Sequence, residues 1–194
     1  MALVTRLLAG KPSMQVSDAL TGTINLPSAG LEVGDFQLIS RITLNSAVTE
    51  VTFGGIPQGY KSLQIHGSLL MSGANADLQI QFNGSSSTYS WHQLYGNGST
   101  GGAGNNTSMS FTYVASNAGS TTQPYTFISD IVDYTTSKAK VVRTFGGGDQ
   151  NGGGTIKQET GLWTGTGAIT SIRLYAGSGN INAYTKFSLY GIRG

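Results

Sequence analysis

Tyr125-Thr-Phe-Ile-Ser-Asp-Ile131 decides how this chain folds. Successive side chains of a strand point to opposite faces, so Tyr125, Phe127, Ser129 and Ile131 share one side, with Thr126, Ile128 and Asp130 on the other. The same period of two recurs on either side of this run. Downstream, Val141, Arg143 and Phe145 alternate with Val142. Upstream, Leu63, Ile65, Gly67 and Leu69 form one set, and Leu78, Ile80 and Phe82 form another that ends at the turn dipeptide Asn83-Gly84. Ile42 and Leu44 alternate with Arg41 and Thr43, and Val51 and Phe53 follow after Asn45-Ser46. Met109, Phe111 and Tyr113 make a further set. Ile169, Ile172 and Leu174 precede a last run in which Phe187, Leu189 and Gly191 oppose Ser188, Tyr190 and Ile192. No window of helical length carries an i, i+3, i+4, i+7 apolar face.

Roughly ten short, half-polar strands at this spacing specify an all-β fold. Each strand covers one side of a core. Two antiparallel sheets packed face to face, a jelly-roll-like sandwich, are the economical arrangement, and the domain is expected to span 36–194. The Gly-rich stretches Gly96–Gly104 and Phe145–Thr155 are expected to be long hairpin connections at the ends of the sandwich.

Residues 1–35 differ. Leu3, Val4, Leu7, Leu8, Met14, Val16, Leu20, Ile24, Leu26 and Leu31 follow no sustained period, and Pro12, Pro27 and several glycines break any element after a few residues. The segment is too apolar for a solvated linker and too broken for a core of its own. It is either a tail lying along its own domain or an extended docking arm that buries Leu3, Leu7, Leu8, Met14, Val16, Leu20, Ile24 and Leu26 on another subunit.

Composition narrows the chemistry. Only 10% of the 194 residues are charged, so hydroxyls and amides carry the chain's solubility. The absence of cysteine removes disulfides, thiolate metal sites and thiol nucleophiles. A net charge of +2, scattered singly, is too thin for a surface that tracks nucleic-acid phosphates. No apolar run is long enough for a membrane-spanning helix, and the start MALVTRLLAG is a poor secretory signal, which points to synthesis in a cytoplasm. His66 and His92 lack partners at metal-ligand spacing. Asp130 and Asp133, at odd separation, project to opposite faces of a strand, which is wrong for a shared acid–base pair. Asp149 and Asn151 resemble a calcium loop only faintly, since no bidentate glutamate follows. No cofactor, metal or catalytic residue is expected, and the chain reads as a non-enzyme. Trp91, Tyr95, Trp163 and Tyr190 are candidate rim contacts, with Trp91 and Tyr95 on one side of their strand.

One resemblance goes further than these patterns. Val51-Thr-Phe-Gly-Gly-Ile-Pro-Gln-Gly-Tyr-Lys-Ser-Leu-Gln-Ile65, Tyr89-Ser-Trp-His-Gln-Leu94, Gly161-Leu-Trp-Thr164 and Lys186-Phe-Ser-Leu-Tyr-Gly-Ile192 stand in an order similar to that of β-sandwich domains of tailed-bacteriophage virion proteins, among them head decoration proteins, head fibres and tail-fibre tips. The resemblance covers about 39–192 and leaves the arm outside it. It implies a virion structural protein on the capsid exterior, made in the host cytoplasm, docked through its arm on capsid or adaptor subunits, and homo-oligomeric, with a trimer expected. The alternative it implies is a tail-fibre module recognising host glycan or protein through the rim aromatics and the loops 96–106 and 146–154. Neither nucleic acid nor membrane is an expected partner.

Overall fold

The computed structural model describes residues 35–73, 76–115 and 118–193. The docking-arm residues Leu3, Leu7, Leu8, Met14, Val16, Leu20, Ile24 and Leu26 lie outside them. Twelve strands and no helix are found among the described residues: β1 Phe36–Thr43, β2 Glu50–Phe53, β3 Ser62–Leu69, β4 Leu78–Phe82, β5 Tyr89–Gly96, β6 Gly101–Met109, β7 Thr112–Ala115, β8 Tyr125–Val132, β9 Lys140–Asp149, β10 Gly154–Trp163, β11 Ile172–Ala176 and β12 Lys186–Ile192. They make two antiparallel sheets, one of eight strands in the order β1-β12-β3-β8-β9-β10-β5-β6 and one of four in the order β2-β11-β4-β7.

Without the hairpins β5–β6 and β9–β10, the remaining strands form two four-stranded sheets, β1-β12-β3-β8 and β2-β11-β4-β7. That alternation of partners between sheets is the double Greek key of a jelly roll. The two hairpins are insertions into it. Both add their strands beyond β8, which widens one sheet from four strands to eight.

The core lies where the inward sets of the two sheets meet. Leu63, Ile65 and Leu69 on β3, Tyr125, Phe127 and Ile131 on β8, and Phe187 and Leu189 on β12 face Ile80 and Phe82 on β4 and Ile172 and Leu174 on β11, all buried. Close approach between the sheets depends on missing side chains. A Cβ added to Gly161 of β10 would fall 2.0 Å from Thr112 Oγ1 of β7. One pair of buried polar side chains is matched directly, the hydroxyls of Ser129 and Thr144 at 2.7 Å.

The Ile56-Pro57-Gln-Gly-Tyr60 segment takes its shape from contacts at the sheet edge. The Tyr60 ring covers Gly191 of β12, and its hydroxyl donates to Gln37 Oε1 of β1 at 2.9 Å. Buried Tyr134 donates its hydroxyl to Pro57 O and ties the segment to the turn that follows β8. Asp133, at φ 52°, opens that turn with its carbonyl accepting from Thr136 N, while Asp130 lies on the outward face of β8.

Two expectations are corrected. Gly96–Gly104 and Phe145–Thr155 are mostly strand, not long loops. Asn97–Thr100 is a tight turn whose Asn97 Oδ1 accepts from Ser99 N and Thr100 N at 3.1 and 2.8 Å. Gln150–Gly153 is a second tight turn, and the strands that flank it pair up to Asp149 and Gly154. Glycine and asparagine are poor strand formers in isolation, yet neighbouring strands supply full ladders that outweigh propensity. Met109 and Tyr113 also belong to different strands in different sheets, because the chain crosses between sheets at Ser110-Phe111.

Candidate functional site

The outward face of the wide sheet carries the surface feature that sets this molecule apart. Strand register builds it one residue at a time. His66 on β3 lies opposite Ile128 on β8, and Ile128 lies opposite Phe145 on β9. Phe145 faces Gln158 on β10, Gln158 faces Leu94 on β5, and Leu94 faces Ala103 on β6. Phe145 is 59% exposed, Leu94 60% and Ile128 45%. At about 4.8 Å per strand this strip runs on the order of 20 Å between His66 and Leu94. Single exposed apolar side chains need no explanation, but here Ile128 and Phe145 are neighbours on adjacent strands and Leu94 follows them in the same row, past Gln158.

Beside the strip the next row is nearly bare. Thr126, Gly147, Ile156, Gly96 and Gly101 follow one another across β8, β9, β10, β5 and β6. Gly96 and Gly147 of this row floor a hollow of about 770 Å³, walled by His66, Ile128, Phe145 and Ile156. Asn97 and Gly98 from one inserted hairpin and Asp149 and Gly153 from the other stand at its rim. The bareness is enforced at Gly147, where a Cβ would come 2.7 Å from the backbone oxygen of Thr155. A smaller depression of about 330 Å³ shares Ile128 and Phe145 and adds Asp130, Arg143 and Gln158.

One end of the strip is aromatic and polar. Phe36, Tyr190 and His66 form a cluster with ring centres 4.5 Å apart for Phe36–Tyr190 and 4.9 Å for His66–Tyr190. His66 Nε2 lies 2.6 Å from Gln64 Oε1, and Gln64 Nε2 donates to Asp130 Oδ1 at 2.7 Å. Asp130 faces Arg143 in the β8–β9 register. These contacts fix side-chain directions along the face. Among the described residues no group of three His, Asp or Glu is placed to hold a metal ion.

The candidate rim residues separate. Tyr190 lies on the outward face within the aromatic cluster. Tyr95 is on the inward side of β5, packed over Gly102, with Lys157 Nζ 5.6 Å from its ring centre. Burial pushes the Lys157 amine below its ordinary pKa, against the opposing pull of Glu159 and Asp77. Trp91 shares that inward side and meets Tyr113 edge-on at 5.0 Å. Trp163 is no rim residue. It is 5% exposed, stacked with Tyr89 and tilted against Phe82, and it covers Gly165, because β10 carries it into the core beneath β4. His92 sits exposed on the outward face of β5.

Pattern reading missed Ile128, Leu94 and Ile156, whose alternation was visible or partly visible but whose assembly into one row needs the strand order. Pattern reading also did not join Trp91 to a half-buried belt that runs from β5 of the wide sheet to the small sheet, Trp91–Tyr113–Phe111–Tyr175, with Arg173 4.4 Å above the Tyr175 ring and paired with Glu50. Comparison of the chain with protein-family models, with curated proteins and with solved structures gave no match.

Proposed function

We propose that this protein is a structural component of a bacteriophage virion, a non-enzyme of the capsid decoration or head-fibre type. It works by docking, on the particle's exterior, as a homo-oligomer with a trimer expected, against capsid or adaptor subunits. The observation that carries the reading is the row Ile128–Phe145–Gln158–Leu94, with its three exposed apolar side chains, and the glycine-floored hollow beside it. Burying such a strip stabilises an association by about 25 cal/mol per Å² removed from water, and no other task for it is evident in the arrangement of groups around it. The jelly roll supports the reading only weakly, since the same scaffold serves capsid and lectin domains alike.

The test has two parts. Light scattering on the purified full chain measures its mass, and electron microscopy compares particles with and without the protein. An oligomer, together with density lost from the shell, supports the reading. A monomer at tens of micromolar that leaves the particle unchanged overturns it.

A second reading, a tail-fibre module that recognises host glycan, draws on the aromatic belt of Trp91, Tyr113, Phe111 and Tyr175. The rings meet edge-on and half-buried, which leaves less free face for a sugar to stack on than an open platform would. Glycan-array signal that survives Phe145→Lys and disappears with Tyr175→Ala would favour it over docking.

A further inference from the structure

We propose that the outward hollow is the seat for the N-terminal segment of a neighbouring copy, residues 1–34, which inserts leucine and methionine side chains beside Phe145, Ile128 and Ile156. The inference rests on the reading of the protein as an assembling component and names the occupant of that same face.

Three observations point to this occupant. The first is where the segment joins the body. It leads into Phe36, the first residue of edge strand β1, whose ring lies 4.5 Å from that of Tyr190 and 5.8 Å from that of His66, the residue at one end of the strip. The second is length. Thirty-four residues in extended form reach about 110 Å, while a body of this size is roughly 40 Å across, so the segment can cross to a neighbour. The third is chemistry. The segment bears Leu3, Leu7, Leu8, Met14, Val16, Leu20, Ile24 and Leu26 against only four charged residues, Arg6, Lys11, Asp18 and Glu32.

The hollow suits such a guest. Its floor of Gly147 and Gly96 leaves backbone uncovered, so a branched or thioether side chain can approach the sheet where any Cβ of its own would block the way. Proline disfavours helix at the residue before it, which in this segment applies at Pro12 and Pro27, and a chain bound in extended form needs partners for its amides and carbonyls. Asn97, Thr126, Asp149 and Gln158 stand along the rim and the strip with the required donors and acceptors.

The experiment uses the full chain. One copy carries the photo-crosslinker p-benzoylphenylalanine at Gln158, which lies between Phe145 and Leu94 in the strip. It is co-expressed with a second copy marked by Ala9→Ser, a mass tag in the segment. After irradiation, mass spectrometry of the digest should join the Gln158 site to a peptide that carries the Ala9→Ser mark. The double substitution Leu7→Asp, Leu8→Asp should cut that product at least tenfold and lower the measured mass of the assembly, with the near-ultraviolet circular dichroism of the folded body unchanged. Crosslinks from the Gln158 site to neighbouring strand residues, in a chain that stays oligomeric with both leucines replaced, would overturn the inference and leave the docking reading standing. A monomer whose crosslinks join only peptides of one chain would overturn both.

Discussion

The ring of Phe127 occupies the space in which Gly67 would carry a side chain: a Cβ at Gly67 would lie 2.1 Å from the ring's Cε1. The two residues are directly opposed across β3 and β8, and both are buried. Gly67→Ala should therefore cost about 2–3 kcal/mol by overpacking, despite the small entropic gain that alanine normally brings. Gly54→Ala, where nothing lies within 4 Å, should stay within about 0.5 kcal/mol of the parent. Urea midpoints measure both. Adding Phe127→Leu to Gly67→Ala should recover part of the loss, because the clash goes with the ring.

Tyr89 links burial to pH. Its hydroxyl accepts the Phe82 N–H at 2.8 Å inside the core, and burial pushes its pKa up to about 12. The folded chain thus holds this proton more tightly than the unfolded chain does. The contribution is complete below about pH 10 and disappears as pH rises toward about 12, a difference of roughly 2–3 kcal/mol for this residue. Tyr125 and Tyr134 are shifted upward for the same reason and add to the slope. Denaturant midpoints measured from about pH 9 to about 11.5 should fall, and they should fall less steeply in Tyr89→Phe. That variant should also lose about 1–3 kcal/mol at neutral pH, since the Phe82 amide is left without its acceptor.

Trp163→Ala should act on folding. The indole is packed between Tyr89 and Phe82 and covers Gly165, so its removal should cost about 3–5 kcal/mol. Any loss of binding in this variant should track the unfolded fraction seen by near-ultraviolet circular dichroism. Binding lost in a variant that remains fully folded would show the residue to be part of a contact surface.

How legible these relationships were depends on what each strand exposes. β3, β8 and β12 bury one face and wet the other, so Leu63-Ile65, Phe127-Ile131 and Phe187-Leu189 announce themselves by alternation. β4 hides on both sides: Gln79 and Gln81 are buried on its outer face, where Gln81 donates to Ser110 O and accepts from Arg173. Their polarity reads as exposure in the sequence. β6 carries Gly101-Gly-Ala-Gly-Asn-Asn106, a stretch with no side-chain pattern to read, and its strand character comes from pairing with β5. The glycine row of the hollow is invisible for a related reason. Gly96 and Gly147 are far apart in the chain and come into one row only through the register of β5, β10 and β9.

Phe145 gives the sharpest separation between assembly and folding. Its side chain is 59% exposed and points away from the core, so Phe145→Lys removes little packing from the isolated domain, and its melting temperature should move by no more than a few degrees. In an assembly seated on the strip, the same change places a charge in the buried contact, where truncating or reversing a central anchor commonly costs about 2 kcal/mol or more, roughly thirtyfold in affinity. Sedimentation equilibrium should then show dissociation at concentrations where the parent remains oligomeric. Val132→Lys, an exposed change on the same face outside the hollow's wall, should leave the association within about threefold of the parent. Equal effects of the two lysines would mean that added charge anywhere on the sheet disperses the assembly, and the hollow would lose its claim to be the point of contact.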